Sequence, residues 1–439
     1  MNPRNLSGGL PGGRWRHRLA AMAFLSAALL LPAAARAQSP AIQFGLGSKS
    51  MALGGAVSAH ADDFAAVFYN PAGLANKTDL QLSAGPQLVI PSFRIQSFSG
   101  TRKGSTKTFL ANNFGGVVPI GGPFERKLAI GLAAYTPFPT IVSIRIRTPE
   151  EPSFVFSEDQ LQTPVIAFGA AYRVNQYFSF GAGGQLLVTA KGKIRTSVDL
   201  ANAAIRQRDT SITIAPTLAP ILGVQITPIR YLKLGMFYRG KVKPDFDLPI
   251  DVDADIIGFS SSFTSSILFS PAQLGGGLSF EVLEKLILST DFVYVFSSET
   301  PSPGIALRIT PTALVAPIVT IDPDPNFSNT YELRAGVEYK LNEDIRFRAG
   351  YFRRTSPAPE QVFDTSFLDS TANGFSIGTG VTLKDPTEIL QKPFTIDNHF
   401  QWTQYQRRTY QRESPLHPIG DLRFKGRVFN IGATFTVRF

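Results

Sequence analysis

Apolar and polar residues alternate one by one along much of the chain. Between Tyr331 and Lys340 one face of an extended segment carries Tyr331, Leu333, Ala335, Val337 and Tyr339, and the other Glu332, Arg334, Gly336, Glu338 and Lys340. A period of two marks a β-strand with one apolar face. The next segment sets Ile345, Phe347, Ala349 and Tyr351 against Arg346, Arg348 and Gly350, and the polar run Asn342-Glu343-Asp344 between them predicts a hairpin. The last segment opposes Phe429, Ile431, Ala433, Phe435, Val437 and Phe439 to Asn430, Gly432, Thr434, Thr436 and Arg438. Strands read this way begin near Leu80, Phe109, Leu128, Thr163, Phe178, Ile212, Leu232, Ala272, Leu286, Thr330, Ile345, Phe375, Phe400 and Phe424.

Such alternation fits either a β-sandwich, whose apolar face enters a core, or a membrane barrel, whose apolar face meets lipid. Three features favour the barrel. Connections alternate in length, with short ones near Gly121–Lys127, Asn175-Gln176, Pro228–Tyr231, Glu284-Lys285 and Asn342–Asp344; short periplasmic turns and long outer loops produce this pattern. Full charges sit in mid-strand, as a wet lumen allows. The final strand ends on Phe439, an aromatic terminus of the kind the barrel assembly machinery reads. The predicted fold is all-β and transmembrane: an antiparallel outer-membrane β-barrel of about fourteen strands, an even number as single-chain bacterial barrels require. Lys384–Asp397 is long for a periplasmic turn, and Ser266–Phe269 extends a strand in one reading.

Composition narrows the picture. The 439 residues are 44% hydrophobic and 17% charged, with 38 Gly, 32 Pro and 35 Phe, a turn-rich, strand-rich balance. Cysteine is absent, which excludes thiol catalysis, thiolate metal sites and disulfides. Arg14, Arg16 and Arg18 precede an apolar run from Leu19 to Leu31, and Ala35-Arg36-Ala37 follows. That is a signal peptide, residues 1–37, with cleavage expected before Gln38; the run is shorter than the roughly 20 residues a spanning helix needs. With five arginines and no acid removed, the formal charge falls from +10 to +5, and a nucleic-acid partner loses its support.

Residues 38–77 do not alternate. Gly, Ala and Ser crowd Ala41–Ala59, then Asp62–Tyr69 predicts a short helix that Asn70-Pro71-Ala72-Gly73-Leu74 ends. A segment of this size needs something to pack against; a barrel lumen, from residues 78–439, is available. The run Gly54-Gly55-Ala56-Val57-Ser58-Ala59-His60-Ala61-Asp62-Asp63-Phe64-Ala65-Ala66-Val67-Phe68-Tyr69-Asn70-Pro71-Ala72-Gly73-Leu74 resembles the N-terminal hatch of the FadL family of long-chain fatty acid transporters. Leu234-Gly235-Met236-Phe237-Tyr238-Arg239, Ser270-Pro271-Ala272-Gln273-Leu274-Gly275-Gly276-Gly277, Arg334–Tyr339 and Arg348–Tyr351 with Ser356-Pro357 resemble further family segments in order, from about Phe44 to Phe439.

The resemblance implies a small helical hatch plugging the barrel, and passive uptake of a hydrophobic ligand, a fatty acid or an aromatic hydrocarbon, with lateral release into the bilayer. It places Asn70, Pro71 and Ala72 at the hatch turn, and Ile42, Phe44 and Leu46, with Phe64 and Phe68, near the ligand pocket. Arg145, Arg147, Lys191, Lys193 and Arg195, at expected outer-loop positions, are candidate contacts for a carboxylate or for lipopolysaccharide phosphates. The loop Lys191–Thr210 is short for the family, and Pro301–Pro325 holds an unusual apolar stretch, Ala313–Ile321. A monomer without cofactor or metal is expected. The alternative is a non-specific porin or a structural or adhesin barrel. A lipid hydrolase built on Ser376 of Gly374-Phe375-Ser376-Ile377-Gly378 with His399 or His417 is disfavoured, because a nucleophile elbow needs a strand–turn–helix context. His60 beside Asp62 and Asp63 reads as a solvated helix start, and Gly47-Ser48-Lys49-Ser50 lacks phosphate-loop spacing.

Overall fold

The alternating segments form the staves of one closed barrel. The computed structural model describes residues 44–439 except 98–99, 105–107, 125–126, 139–151, 155–163, 200–203, 243–245, 254–258, 266–268, 301–304, 312–318, 322–325, 363–366, 386–389, 391 and 413–419. Of 123, 153, 188–199, 204–215, 246–253, 259–265, 305–311, 319–321, 361–362 and 412 it describes the backbone alone. The barrel strands are β1 (Gln81–Ser97), β2 (Phe109–Pro119), β3 (Leu128–Phe138), β4 (Val165–Arg173), β5 (Phe178–Asp199), β6 (Ala204–Ile229) and β7 (Leu232–Arg239). They continue as β8 (Gln273–Val282), β9 (Leu286–Val295), β10 (Thr330–Lys340), β11 (Ile345–Arg354), β12 (Ala372–Leu383), β13 (Phe394–Arg412) and β14 (Leu422–Arg438). Each pairs antiparallel with the next, and β14 pairs back onto β1. The fourteen-stranded closure leaves no edge strand in the wall.

The pleat is inside out compared with a soluble protein. Phe347, Phe375, Ile377 and Phe435 stand exposed on the outer face, while Gln185, Gln225, Asp291 and Arg348 are buried within. Only a lipid solvent makes that arrangement favourable, since the apolar side chains then lie in hydrocarbon and the polar ones in a lumen. Among the described residues no helix is long and apolar enough to cross a membrane; the strands do the crossing.

Short turns gather at one end. The β10–β11 hairpin turns on Asn342, whose Oδ1 accepts from the amides of Asp344 at 3.0 Å and Ile345 at 2.7 Å. The β8–β9 turn holds Leu283 and Glu284 at φ of 55° and 56°, the left-handed pair that a tight hairpin demands even without glycine. The long β12–β13 connection lies at the same end, where Lys392 bonds Asp79 at 2.5 Å and the carbonyl of Phe439 at 3.1 Å. It ties the two ends of the wall together.

The described parts of Lys191–Thr210, residues 191–199 and 204–210, are strand rather than loop, contrary to the sequence expectation. β5 and β6 run on as a long hairpin beyond the wall, so β6 begins at Ala204 rather than near Ile212. β-branched residues (Ile194, Thr196, Val198, Ile212, Thr213 and Ile214) favour the extended chain there. Phe246–Asp253 pairs parallel with β5, and Phe259–Ser265, Ile305–Pro311 and Val319–Ile321 carry this outer sheet further.

The lumen is filled from residue 44. A helix spans Ser48–Ala52, a single turn Ala66–Tyr69, and a 3-10 helix Pro71–Asn76. The helix expected from Asp62 starts only at Ala66, because Asp63 Oδ1 accepts from the Ala65 amide at 2.9 Å and bends the chain first. Leu53, Val57, Phe64, Val67 and Leu74 pack on Ala111, Ala129, Ala133, Tyr135 and Ala167 of β2, β3 and β4. The small residues of that inner wall leave the hatch room on one side. Charged side chains line the other.

Candidate functional site

Asn70 fixes the hatch turn. Its backbone leaves the helical region (φ −161°, ψ 102°) just before Pro71, which has no amide hydrogen to offer a continuing helix. Its Oδ1 accepts from the Ala72 amide at 3.1 Å, capping the 3-10 helix. Its Nδ2 donates to the carbonyls of Ser58 at 2.6 Å and Val224 at 3.0 Å. Asn70 therefore joins two hatch segments to β6. Pro71 and Ala72 rest on glycines: a Cβ on Gly181 would lie 2.5 Å from the Ala72 nitrogen, and one on Gly223 would strike the Asn70 side chain.

On the opposite side the hatch is held by polar bonds to the wall. Asp291 Oδ2 accepts from the amides of Val57 at 3.1 Å and Ser58 at 3.0 Å. Ser376 Oγ donates to the Ala52 carbonyl at 3.2 Å. Ser48 N donates to Thr434 Oγ1 at 3.0 Å, and the Phe44 carbonyl accepts from Gln87 and Asn430, each at 2.8 Å. Below, Asp62 pairs with Lys49 at 2.5 Å and Lys77 at 3.2 Å. Burial pushes Asp62 up, but these two ammonium groups outweigh it and hold the carboxyl well below its usual range. Burial, reinforced by Lys49, drives His60 down to about 4; neither ring nitrogen has a hydrogen-bond partner among the described residues. His60 is thus a buried neutral histidine, not a solvated helix start.

Above the hatch lies a cavity bounded by Phe44, Met51, Phe68, Arg239, Arg354 and Tyr405, with Gln273, Glu332, Arg334, Phe352, Gln401 and Asn430 completing its walls. Its charges are unequal. Arg334 pairs with Glu332 at 2.5 Å and Arg354 with Asp369 at 3.3 Å. Arg239 is 2% exposed, donates to Gln273 Oε1 at 2.6 Å and to the Phe68 carbonyl, and lies 3.7 Å over the Phe68 ring. It has no carboxylate among the described residues, and its Nε is without a partner. A buried cation left without a counter-charge is costly unless an anion visits. Over the cavity stands a clustered apolar roof, including Phe93, Phe154, Leu422, Phe424 and Val428.

Of the pocket residues expected from sequence, Phe44 and Phe68 line this cavity. Leu46 and Phe64 are instead packed in the hatch core, and Ile42 lies outside the described residues. Arg145 and Arg147 also lie outside them, as do the side chains of Lys191, Lys193 and Arg195, whose backbone belongs to β5. Sequence reasoning missed Arg239 and Arg354. The available signal was parity: Arg239 follows Gly235 and Phe237 on the inward side of β7, where a charge faces the lumen. Ser376 lies in mid-strand against the hatch, and His399 meets Asn430 at 3.2 Å; no elbow forms. His417 lies outside the described residues.

A hatch-plugged fourteen-stranded barrel invites comparison with known proteins. Residues 29–262, over half the chain, match the family described as outer membrane protein transport protein (OMPP1/FadL/TodX). The chain belongs to this family. Its function is therefore transport of hydrophobic compounds, and its fold and family are those of outer-membrane barrels. The fold is similar to a FadL homologue from Pseudomonas aeruginosa, with a TM-score of 0.58 and 15% identity over 89% of this chain and 98% of that one. It is similar also to the P. putida toluene transporter TodX (0.59, 16%, 90% and 99%). The Ralstonia pickettii toluene transporter TbuX gives 0.55 and 17% identity over 90% and 99%. No curated protein matches the chain.

Proposed function

We propose that this chain admits long-chain fatty acids through the outer membrane by passive diffusion, the hatch gating the barrel and the ligand leaving sideways into the bilayer. The observation that supports a carboxylate is Arg239, buried on the cavity wall with an unpartnered Nε and, among the described residues, no ion pair of its own, since Glu332 on the same wall is paired with Arg334. The apolar roof suits the acyl chain. Each CH₂ removed from water contributes ~0.8 kcal/mol, so a sixteen-carbon chain supplies roughly 10 kcal/mol, enough for capture without an energy source. Lateral release finds support in the β1–β14 seam. Pairing runs to Ala84↔Phe435 and resumes at Gln87↔Gly432, skipping Gly85 and Pro86, and the start of the hatch is bonded to residues on that seam, Gln87, Asn430 and Thr434. Export by residues 1–37, insertion through the barrel assembly machinery by way of Phe439, and action as a monomer complete the proposal.

The test is titration of detergent-purified protein with a fluorescent long-chain fatty acid and with the alcohol of equal length. Arg239→Gln should weaken the acid by about tenfold or more, the worth of a charged hydrogen bond, and leave the alcohol almost unchanged. Equal affinity of the native protein for acid and alcohol would sink the carboxylate reading. A second reading, uptake of a monoaromatic hydrocarbon, is favoured by the five aromatic residues on the cavity, Phe44, Phe68, Tyr69, Phe352 and Tyr405, and by the toluene transporters among the similar structures. Displacement of the fluorescent probe by toluene with an intact response in Arg239→Gln would select it.

A further inference from the structure

Above the lipid-facing band the outer surface of the β13–β14–β1 seam changes character within one residue pair. On β14 the outward residues from Phe439 up to Phe429 are mostly apolar, the length a tilted strand of roughly 9–11 residues needs to cross hydrocarbon. The top of the band is in register across three strands, Trp402 opposite Phe429 opposite Ile90. The next outward residue on β14 is Arg427, opposite Ser92, with its guanidinium 5.6 Å over the Phe429 ring. Lys425 follows, opposite Arg94, which is itself opposite Lys103 on the short strand Gly100–Lys103. Arg423 comes last, opposite Gln96. All five cations are exposed.

None of the five has a carboxylate partner among the described residues. Other surface lysines do: Lys241 with Glu299 at 2.7 Å, Lys340 with Glu281 at 2.8 Å and Lys392 with Asp79 at 2.5 Å. Asp421, next to the patch, already has an interaction of its own. The end of the barrel that carries the patch is the one with the long connections, which in an outer-membrane barrel faces outward. Five unpaired cations in rows, resting on an aromatic edge at the height where headgroups begin, form a binding face for an anionic lipid.

We propose that this face binds the phosphorylated head of an outer-leaflet glycolipid, a bisphosphorylated disaccharide of the lipid A kind. Its acyl chains would lie along Ile90, Phe429, Trp402 and the band below. Arg427 and Lys425 sit at the level of one phosphate; Arg94, Lys103 and Arg423 reach laterally and outward to the second. Neighbouring strands are about 4.8 Å apart, and Arg427 to Arg423 spans about 13 Å along β14, a spread that one glycerophospholipid phosphate cannot occupy. The contact is independent of the cargo site in the lumen.

Native mass spectrometry of the detergent-solubilised full chain tests it, with bisphosphoryl lipid A, its fully dephosphorylated form and phosphatidylglycerol as probes. Arg94→Gln, Lys425→Gln and Arg427→Gln together should lower retention of bisphosphoryl lipid A roughly a hundredfold, at about fivefold for each basic side chain. Lys340→Gln, at the opposite end of the barrel, should leave it unchanged. Folding of each variant is read from heat-modifiable migration on gels. If the triple variant does not fold, Lys425→Glu alone should still produce a clear loss. Equal binding by the triple variant and the native protein would overturn the proposal, as would equal retention of the phosphorylated and dephosphorylated lipids. Phosphatidylglycerol held as tightly and lost in parallel would overturn the assignment to a glycolipid.

Discussion

His60 shows how much a single side chain can carry. It is buried in the hatch and remains neutral down to about pH 4, whereas an unfolded histidine protonates near its ordinary value of 6.5. Between those values the released state binds more protons than the docked one, so docking stability rises with pH and is lost as pH falls from about 6.5 toward 4. Asp62 acts in the same direction at lower pH: its carboxyl is held low by Lys49 and Lys77, and the contribution disappears as pH falls through the depressed value. Hydrogen exchange of hatch amides should accelerate as pH drops below about 6.5, after correction for intrinsic rates, and His60→Asn should flatten that dependence above pH 4. An unchanged slope in His60→Asn would show that another group governs it.

At the scale of elements, the informative join is β1 against β14. A barrel gains its strength from an unbroken ladder, and here the pairing lapses at Gly85 and Pro86 without a change of register. Pro86 lacks the amide hydrogen a ladder needs, and Gly85 comes close to the Ala433 carbonyl, where no Cβ would fit. Pro86→Val restores a donor and favours the extended chain. Transfer of a fluorescent fatty acid from protein to liposome should slow several-fold in Pro86→Val while its affinity stays the same. Transfer at the native rate would move the exit away from this seam. Nearby, Arg348 stands between Glu338 and Asp397, each at 2.6 Å, and keeps β10, β11 and β13 joined through a charge network that leaves the lumen satisfied.

The whole molecule is a tube blocked by its own N-terminal segment. The hatch rests on an inner wall of Ala and Gly, so small additions there should displace it without touching the cavity. Gly181→Ala with Gly223→Ala puts methyl groups where Ala72 and Asn70 now lie. Planar-bilayer recording should find little ion conductance in the native protein and a clear increase in the double variant, whose barrel still shows heat-modifiable migration. High, steady conductance of the native protein would instead favour the porin alternative.

Much of this architecture was readable from residue order, and the reason is the solvent. Lipid outside and a polar lumen inside impose a strict period of two, so Tyr331–Lys340 and Phe429–Phe439 declared their faces residue by residue, and Asn342 its turn. The hatch turn was legible because Asn70-Pro71 can adopt few backbones. Contacts between distant segments were not legible. That Phe68 meets Arg239, that Phe64 enters the hatch core and that Phe44 is clamped by Gln87 and Asn430 follow from how the plug sits in the lumen. Beyond the wall β5 also pairs with Phe246–Asp253, a partner more than fifty residues away along the chain. Alternation says which way a side chain points; only closure of the barrel around its plug decides what it meets there.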